Sequence, residues 1–139
     1  MDNVSKEKRS EIMSKIRSKN TTPEIKVRKL LHSMGYRFRL HRKDLPGKPD
    51  IVLPKYKTVI FVHGCFWHGH EASECKLSRL PKSKVDFWEM KISLNKKRDI
   101  NIQRKLSELG WHFFIVWECQ TLNNEKLRSI INEGFNAIC

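Results

Sequence analysis

Residues 59–70, Val-Ile-Phe-Val-His-Gly-Cys-Phe-Trp-His-Gly-His, constrain the fold of this chain more than any other stretch: four apolar residues give way at once to three histidines, one cysteine and two adjacent aromatics. A short apolar run of that kind reads as a buried strand, and the polar cluster starts where such a strand emerges from its sheet. Catalytic and metal-binding groups are often held at strand ends, because the sheet fixes their positions while the loop leaves them accessible. Pro49-Asp50 stands nine residues before Val59, so a neighbouring strand can bring a carboxylate alongside.

A chain of 139 residues has room for one domain, spanning 1–139, with one core. No apolar run is long enough for a membrane span, and the first twenty residues are charged and lack the apolar region of a secretory signal. The expected setting is cytoplasmic. There, four cysteines serve as metal ligands or free thiols rather than as a disulfide framework. Cys139, at the end of the chain, reads as a free thiol.

The formal net charge of +13 is unevenly spread. Residues 1–45 hold 13 Lys/Arg against 5 Asp/Glu, residues 76–105 hold 10 against 3, and the rest of the chain sums to −2. Two basic segments therefore flank the histidine-rich stretch. Cations along a phosphate track release counterions and supply sequence-independent affinity, so a polyanion is the expected partner. A basic surface tuned for solubility is the plainer alternative. An anionic membrane fits less well, since no segment pairs a basic face with a broad aromatic one.

Helices and strands alternate along the sequence. Residues 4–18 read as a short basic helix or arm. Thr22-Pro23-Glu24 marks a helix start, with a hydroxyl at the N-cap, Pro at the first helical position and an acid in the first turn; the helix runs through Ile25, Val27, Leu30 and Leu31 and stops at Gly35. Strands are expected over 36–40, 50–53, 59–63 and 111–117. A helix is expected over 83–109, with a break near Ser93-Leu-Asn95, and a short one over 125–133. The pattern predicts one compact α/β domain.

Cys65, His70 and Cys75 follow a C-x4-H-x4-C spacing, and Cys119 comes after the last strand. Three thiolates and an imidazole have the composition of a closed structural zinc site. Composition alone leaves His63 and His68 as rivals for the fourth place, and buried, unliganded cysteines are the alternative to any metal. Asp50 at a strand start matches the front half of the P-D…(D/E)-x-K arrangement of metal-dependent nucleases, in which an Asp holds a Mg²⁺ ion that activates water. The second half is absent: Val62, His63 and Gly64 stand where the acid, spacer and lysine belong. Without company, Asp50 would read as a turn residue capping local amides. The neighbouring His63 and His68 can act as a base near neutral pH or hold waters around a metal.

Phe61-Val-His-Gly-Cys-Phe-Trp-His68, with Pro46-Gly-Lys-Pro-Asp50 before it and Phe87-Trp88, Arg98-Asp99, Gly110-Trp111 and Trp117-Glu-Cys119 after it, resembles the very-short-patch-repair (Vsr) mismatch endonucleases. The likeness extends from about Lys8 to about Leu127. It implies a restriction-endonuclease-like core of the PD-(D/E)XK type, a mixed central sheet flanked by helices, with a degenerate nuclease motif and a structural zinc site. It further implies Mg²⁺-dependent nicking of double-stranded DNA on the 5′ side of the T in a T:G mismatch, the product of 5-methylcytosine deamination. The expected protein is a bacterial, nucleoid-associated monomer, with mismatch-repair proteins and a repair polymerase as further partners.

By the same resemblance Asp50 is a Mg²⁺ ligand and the Val62 backbone carbonyl a second contact. His68 orients or deprotonates the attacking water, and His63 and Glu24 hold metal-bound waters. Cys65, His70, Cys75 and Cys119 form the zinc set. Phe66 and Trp67 wedge into the base stack beside the mismatch while Met13, on an arm formed by residues 1–20, enters from the other groove. A mismatch is easy to unstack, which is what makes such a wedge selective; packing of Phe66 and Trp67 against the zinc loop is the structural alternative. A less selective restriction-type nuclease, or a zinc-stabilised DNA-binding module without catalysis, are the other readings of the residues.

Overall fold

A computed structural model of the chain describes residues 21–70, 75 and 83–138. Among these residues four strands form one mixed sheet in the order β1-β2-β3-β4: β1 (Arg39–Leu40), β2 (Ile51–Leu53), β3 (Thr58–His63) and β4 (His112–Trp117). The first three pair antiparallel. β3 and β4 run parallel, from Thr58 opposite His112 to His63 opposite Trp117. Parallel strands need a long crossover, and helix α2 (Val85–Glu108) supplies it. Helices α1 (Thr22–Ser33) and α3 (Asn124–Ile138) cover the other face.

Alternation along the strands divides the apolar residues into two cores. Ile51, Leu53, Ile60 and Val116 meet Val27, Leu30 and Leu31 of α1 and Leu127, Ile131 and Phe135 of α3. Val52, Val59 and Phe61 face the opposite way, toward Leu45 and toward Leu106 of α2. β2 is buried throughout, as a strand sandwiched between helix layers must be. The sheet is thus clamped from both sides, and the ends of β3 and β4 are held rigidly. No helix among the described residues is long and apolar enough to cross a membrane.

Several boundaries differ from those the sequence suggested. The first helix is capped by Thr21, not Thr22: the Thr21 side chain accepts the Glu24 N–H at 3.4 Å. The T-x-x-E spacing of a capping box runs from Thr21, which makes Pro23 the second helical residue. The first strand is only Arg39–Leu40, because His41 turns into the left-handed region at φ +48°; Tyr36 and Phe38 still pack on the core, with Tyr36 stacked on Phe135 at 4.4 Å. α2 is one helix of 24 residues with no break at 93–95, since none of those residues breaks a helix and the Asn95 side chain donates to the Trp67 carbonyl at 2.9 Å. The basic helix or arm expected at 4–18, Met13 within it, and Cys139 lie outside the described residues.

α3 continues five residues beyond the expected end at 133, and Gly134 shows why. A Cβ there would stand 2.7 Å from the Phe114 ring, and that ring is backed by Phe135 at 5.3 Å. The glycine lets the helix lie close on β4 and so bury Phe135. Gly134→Ala is expected to destabilise the protein by about 1–2 kcal/mol, the overpacking cost outweighing Ala's better helix propensity; a denaturant midpoint at or above that of the unaltered protein would contradict it.

Candidate functional site

β2 and β3 lie side by side so that Asp50, just before β2, sits next to the end of β3: its Oδ2 accepts the Val62 backbone N–H at 2.8 Å. Burial pushes the Asp50 carboxyl up to about 6, against the Val62 amide and the nearby Arg28, which both favour its charge. A carboxylate so placed gains from any cation that reaches it. Asp50 opens onto a cavity of about 490 Å³ whose walls include Val62, His63, His68 and Asp99, with Lys43, Lys48 and Arg98 adding positive charge.

The β3 end also positions the histidines. His63 closes the strand and is 6% exposed; after the turn at Gly64, His68 folds back so that the two imidazoles stack at 3.8 Å, 6° from parallel. Burial and the adjacent His68 push His63 down to about 4, so it is neutral at physiological pH. His68 Nδ1 lies 2.6 Å from Asp99 Oδ2. An ionised Asp99 accepts from Nδ1–H, which leaves Nε2 as the basic nitrogen of His68. Asp99 comes from α2, 31 residues further along the chain. The sequence marks Arg98-Asp99 only as part of the family resemblance, because no local pattern relates a helix position to a loop that distant.

Glu24 is 1% exposed on the first turn of α1. It is ion-paired with Arg28, and His41 Nε2 stands 3.1 Å from its Oε2. The ligand atoms of Glu24, His41 and Asp50 lie within 4.8 Å of one another, so Glu24 does reach the Asp50 end of the cavity. Arg28 and His41 were not singled out from the sequence. Both are basic residues in a segment full of basic residues, and only burial distinguishes them.

A second cluster lies behind the histidine loop. Cys65, His70, Cys75 and Cys119 place one ligand atom each within 4.8 Å of the others, with His70 Nδ1 3.5 Å from Cys119 Sγ. His70 stacks on Trp117 at 4.2 Å, and the Cys119 N–H donates to Cys65 Sγ at 3.3 Å. Burial pushes the Cys65 thiol up to about 12 and raises Cys119 as well. The donor set is that of a possible metal-binding cluster. His70 thus joins the cysteines, whereas His63 and His68 belong to the cavity.

Phe66 and Trp67 lie in the turn after β3 rather than in sheet, so they are not forced to opposite faces. They meet edge to face at 5.2 Å, and both contact Trp88 of α2, at 5.3 and 5.8 Å. Both are half-buried. Phe87, 55% exposed, and the Lys91 ammonium 5.6 Å from the Trp67 ring extend this aromatic surface.

A sequence profile of the family "DNA mismatch endonuclease Vsr" matches residues 1–74. The chain is 50% identical over 135 residues to the type II nicking enzyme V.XorIIP of Xanthomonas oryzae pv. oryzae, covering 94% of this chain and 97% of that one. It is 47% identical over 135 residues to the type II nicking enzyme V.NmeAIP of Neisseria meningitidis, covering 94% of each. Over 119 residues it is 43% identical to the DNA mismatch endonuclease Vsr of Escherichia coli, covering 86% of this chain and 74% of that one.

Proposed function

The chain belongs to the Vsr family of DNA mismatch endonucleases, and from that premise we propose that it nicks double-stranded DNA 5′ to the T of a T:G mismatch by Mg²⁺-dependent hydrolysis. The observation that carries the reading is the common cavity of Asp50, His68 and Asp99: a half-buried acid shares it with a histidine whose tautomer is fixed by a carboxylate. The family's resemblance to restriction-type nucleases, the mixed sheet between helices and an Asp at the start of β2 support a degenerate PD-(D/E)XK core. We take the chain as one domain acting as a monomer, because one nick needs one such site. T:G mismatches from 5-methylcytosine deamination are the substrate the family name and resemblance favour, and repair proteins that act after the nick are its expected partners.

Asp50, with the Val62 carbonyl, would hold Mg²⁺; Glu24 and His63 would bind waters around it. When bound, the ion supplies positive charge to the scissile phosphate and to the attacking water. His68 Nε2 would remove the proton from that water as its oxygen bonds to phosphorus and the P–O bond to the leaving sugar oxygen breaks, that oxygen taking up a proton from solvent, and Asp99 would stabilise the resulting imidazolium, as the acid of a catalytic dyad does. His63, neutral and stacked on His68, restricts the ring to one plane. Lys43, Lys48 and Arg98 neutralise the flanking phosphates and set the strand in the cavity.

Cys65, His70, Cys75 and Cys119 suit zinc. Sulfur and nitrogen ligands at about 2.3 and 2.0–2.1 Å around a tetrahedral ion stand about 3.5 Å apart, and the Cys119 to His70 separation is 3.5 Å. The ion's task there is structural: it would pin the loop bearing Phe66, Trp67 and His68 to the end of β4.

Phe66 and Trp67 would wedge between base pairs at the mismatch, with Met13 of the N-terminal arm entering opposite. Their half-burial on Trp88 supports a rigid wedge. The test is nicking of labelled duplexes carrying one T:G in several flanking contexts, beside matched T:A and C:G controls, with Mg²⁺ or EDTA. Cleavage confined to the T:G duplex and to Mg²⁺ is expected; equal cutting of matched DNA would make this a general nuclease, and binding without cutting a DNA-binding module. The Phe66→Ala, Trp67→Ala double variant is expected to bind T:G roughly 10- to 100-fold more weakly, about 1–3 kcal/mol for lost stacking, and unchanged binding would end the wedge reading.

A further inference from the structure

Gly64 stands where a nuclease of the P-D…(D/E)-x-K type carries its lysine. A side chain there would begin 3.6 Å from the Trp67 indole and 3.9 Å from Glu118 Oε1, and Gly64 does not line the cavity. The cavity has cations from elsewhere in the chain. Arg98 is bonded to Asn95 Oδ1 at 2.6 Å, and His41 faces Glu24 at 3.1 Å. Lys43 and Lys48 remain, both exposed at the cavity wall, and among the described residues neither is ion-paired. Of the two, Lys48 has the constrained backbone. It lies at φ +46°, in the left-handed region that non-glycine residues rarely adopt outside functional sites. It does so in front of Pro49, which itself favours an extended neighbour. The Lys48 N–H donates to the Leu45 carbonyl at 3.2 Å and closes the turn. Gly47, at φ +76°, lies so close to α2 that a Cβ would stand 2.5 Å from Ile102 Cγ2. Ile102 also lines the cavity, three residues on from Asp99. The turn before β2 is thus pressed onto the helix that orients His68.

We propose that Lys48 supplies the lysine that the motif lacks, its ammonium meeting a non-bridging oxygen of the scissile phosphate rather than only a flanking one. The inference deepens the nicking reading and rests on it. A cation held at that oxygen acts on the negative charge that builds up as water attacks phosphorus, and so favours the transition state over the bound substrate. No bond to Lys48 forms or breaks, and the ammonium keeps its protons throughout. The strained turn gives the contact its precision: a lysine on a free loop would spend most of its time in water, whereas this one leaves a backbone pinned between Ile102 and Asp50. The competing explanation is that Lys48 only tracks the DNA backbone. Such a cation holds substrate and transition state alike and shows itself in binding and its salt dependence.

Single-turnover nicking of a T:G duplex by saturating protein, beside binding of the same duplex without divalent cations and a thermal melt, separates the two. Lys48→Asn removes the charge while Asn tolerates the left-handed backbone. Its saturating rate is expected to fall about 100-fold or more, with the Kd for T:G DNA within about threefold of the parent's. Its melting temperature is expected to match or exceed the parent's, because a residue strained for function gives up stability. Lys48→Arg keeps the charge and is expected to recover at least about a tenth of the parent's rate. Should Lys48→Asn melt below the parent, Lys48→Gly, which meets no left-handed penalty, carries the same expectation. A saturating rate within about threefold of the parent's in the uncharged variant, a loss confined to the Kd, or Lys48→Arg as slow as Lys48→Asn would each overturn the role. Nicking by the unaltered protein tests the nuclease reading separately: a parent that cuts T:G beside a Lys48→Asn that cuts equally well ends the Lys48 role alone.

Discussion

Asp50→Asn is expected to cut nicking roughly a thousandfold or more and, in the absence of divalent cations, to make the protein more stable. The first effect follows from removing the one side-chain anion that faces both Val62 and the cavity: a loss of about 4 kcal/mol of transition-state stabilisation is a factor of about a thousand. The second follows from where the carboxylate sits. Asn keeps an oxygen for the Val62 N–H at 2.8 Å and removes a charge that burial disfavours. With the folded carboxyl pushed up to about 6 and an unfolded one near 4, the difference at 1.36 kcal/mol per pH unit sets an upper bound of about 2.7 kcal/mol, and a gain of about 1–2 kcal/mol is expected.

The sign of the pH dependence is a second check on the same variant. A group whose folded pKa is raised contributes stability that is present in full below its unfolded pKa and is lost as pH rises through the folded one. For Asp50 the window runs from about pH 4 to about pH 6. The stability gap between Asp50→Asn and the unaltered protein should therefore open across that window and be widest at pH 7. Millimolar Mg²⁺ should narrow it again by binding only the carboxylate form. Thermal melts of both proteins with and without Mg²⁺ decide this, and a variant less stable than its parent at pH 7 without metal would mean that Asp50 is a structural residue. Retained cleavage would refute its role in the reaction.

The parts of this architecture that local chemistry dictates were legible in the sequence. The apolar run 59–62, the Gly35 stop and the crossover helix could be read because period, turn residues and length act over a few positions. The convergence of residues on the site was legible only in part. Asp50 announces itself by standing at a strand start and His68 by lying in the histidine-rich turn after β3, whereas Asp99 is one acid on a helix crowded with charges, and its contact with His68 is made by the fold as a whole. Arg28 and His41 were hidden for the same reason. The choice of His70 over His63 and His68 for the cysteine cluster came from the family resemblance, not from spacing; in space it follows from the stacking of His70 on Trp117. A strand is expected over 36–40 and only Arg39–Leu40 forms one, because aromatic alternation reports which side chains face the core, as Tyr36 and Phe38 do, but not where the ladder runs.

Removal of the zinc proposed for the cysteine cluster is expected to lower the melting temperature by about 10–20 °C, and Cys65→Ala to yield little folded protein. The four ligands come from the end of β3, the loop after it and the single turn following β4, so the ion would tie together the segments that carry Phe66, Trp67 and His68. Neither apolar core contains Cys65, Cys75 or Cys119. Structural zinc sites bind with roughly 10–16 kcal/mol in isolated peptides; if even 4–5 kcal/mol of that stabilises the fold here, it is a large share of the about 5–15 kcal/mol typical of a domain, and at about 2–4 °C per kcal/mol it gives the expected shift. The chemistry adds a sharper test. Burial pushes Cys65 up to about 12 and raises Cys119, so these two metal-free thiols are protonated at pH 7, and every cysteine that binds the ion does so as the thiolate. Calorimetry of zinc rebinding in buffers of different ionisation heat should then report release of about three protons, one per cysteine. One zinc per chain with that proton count fixes the ligand set; a chelated protein that melts like its parent, with no zinc found before treatment, would leave the four residues as buried thiols packed against a histidine.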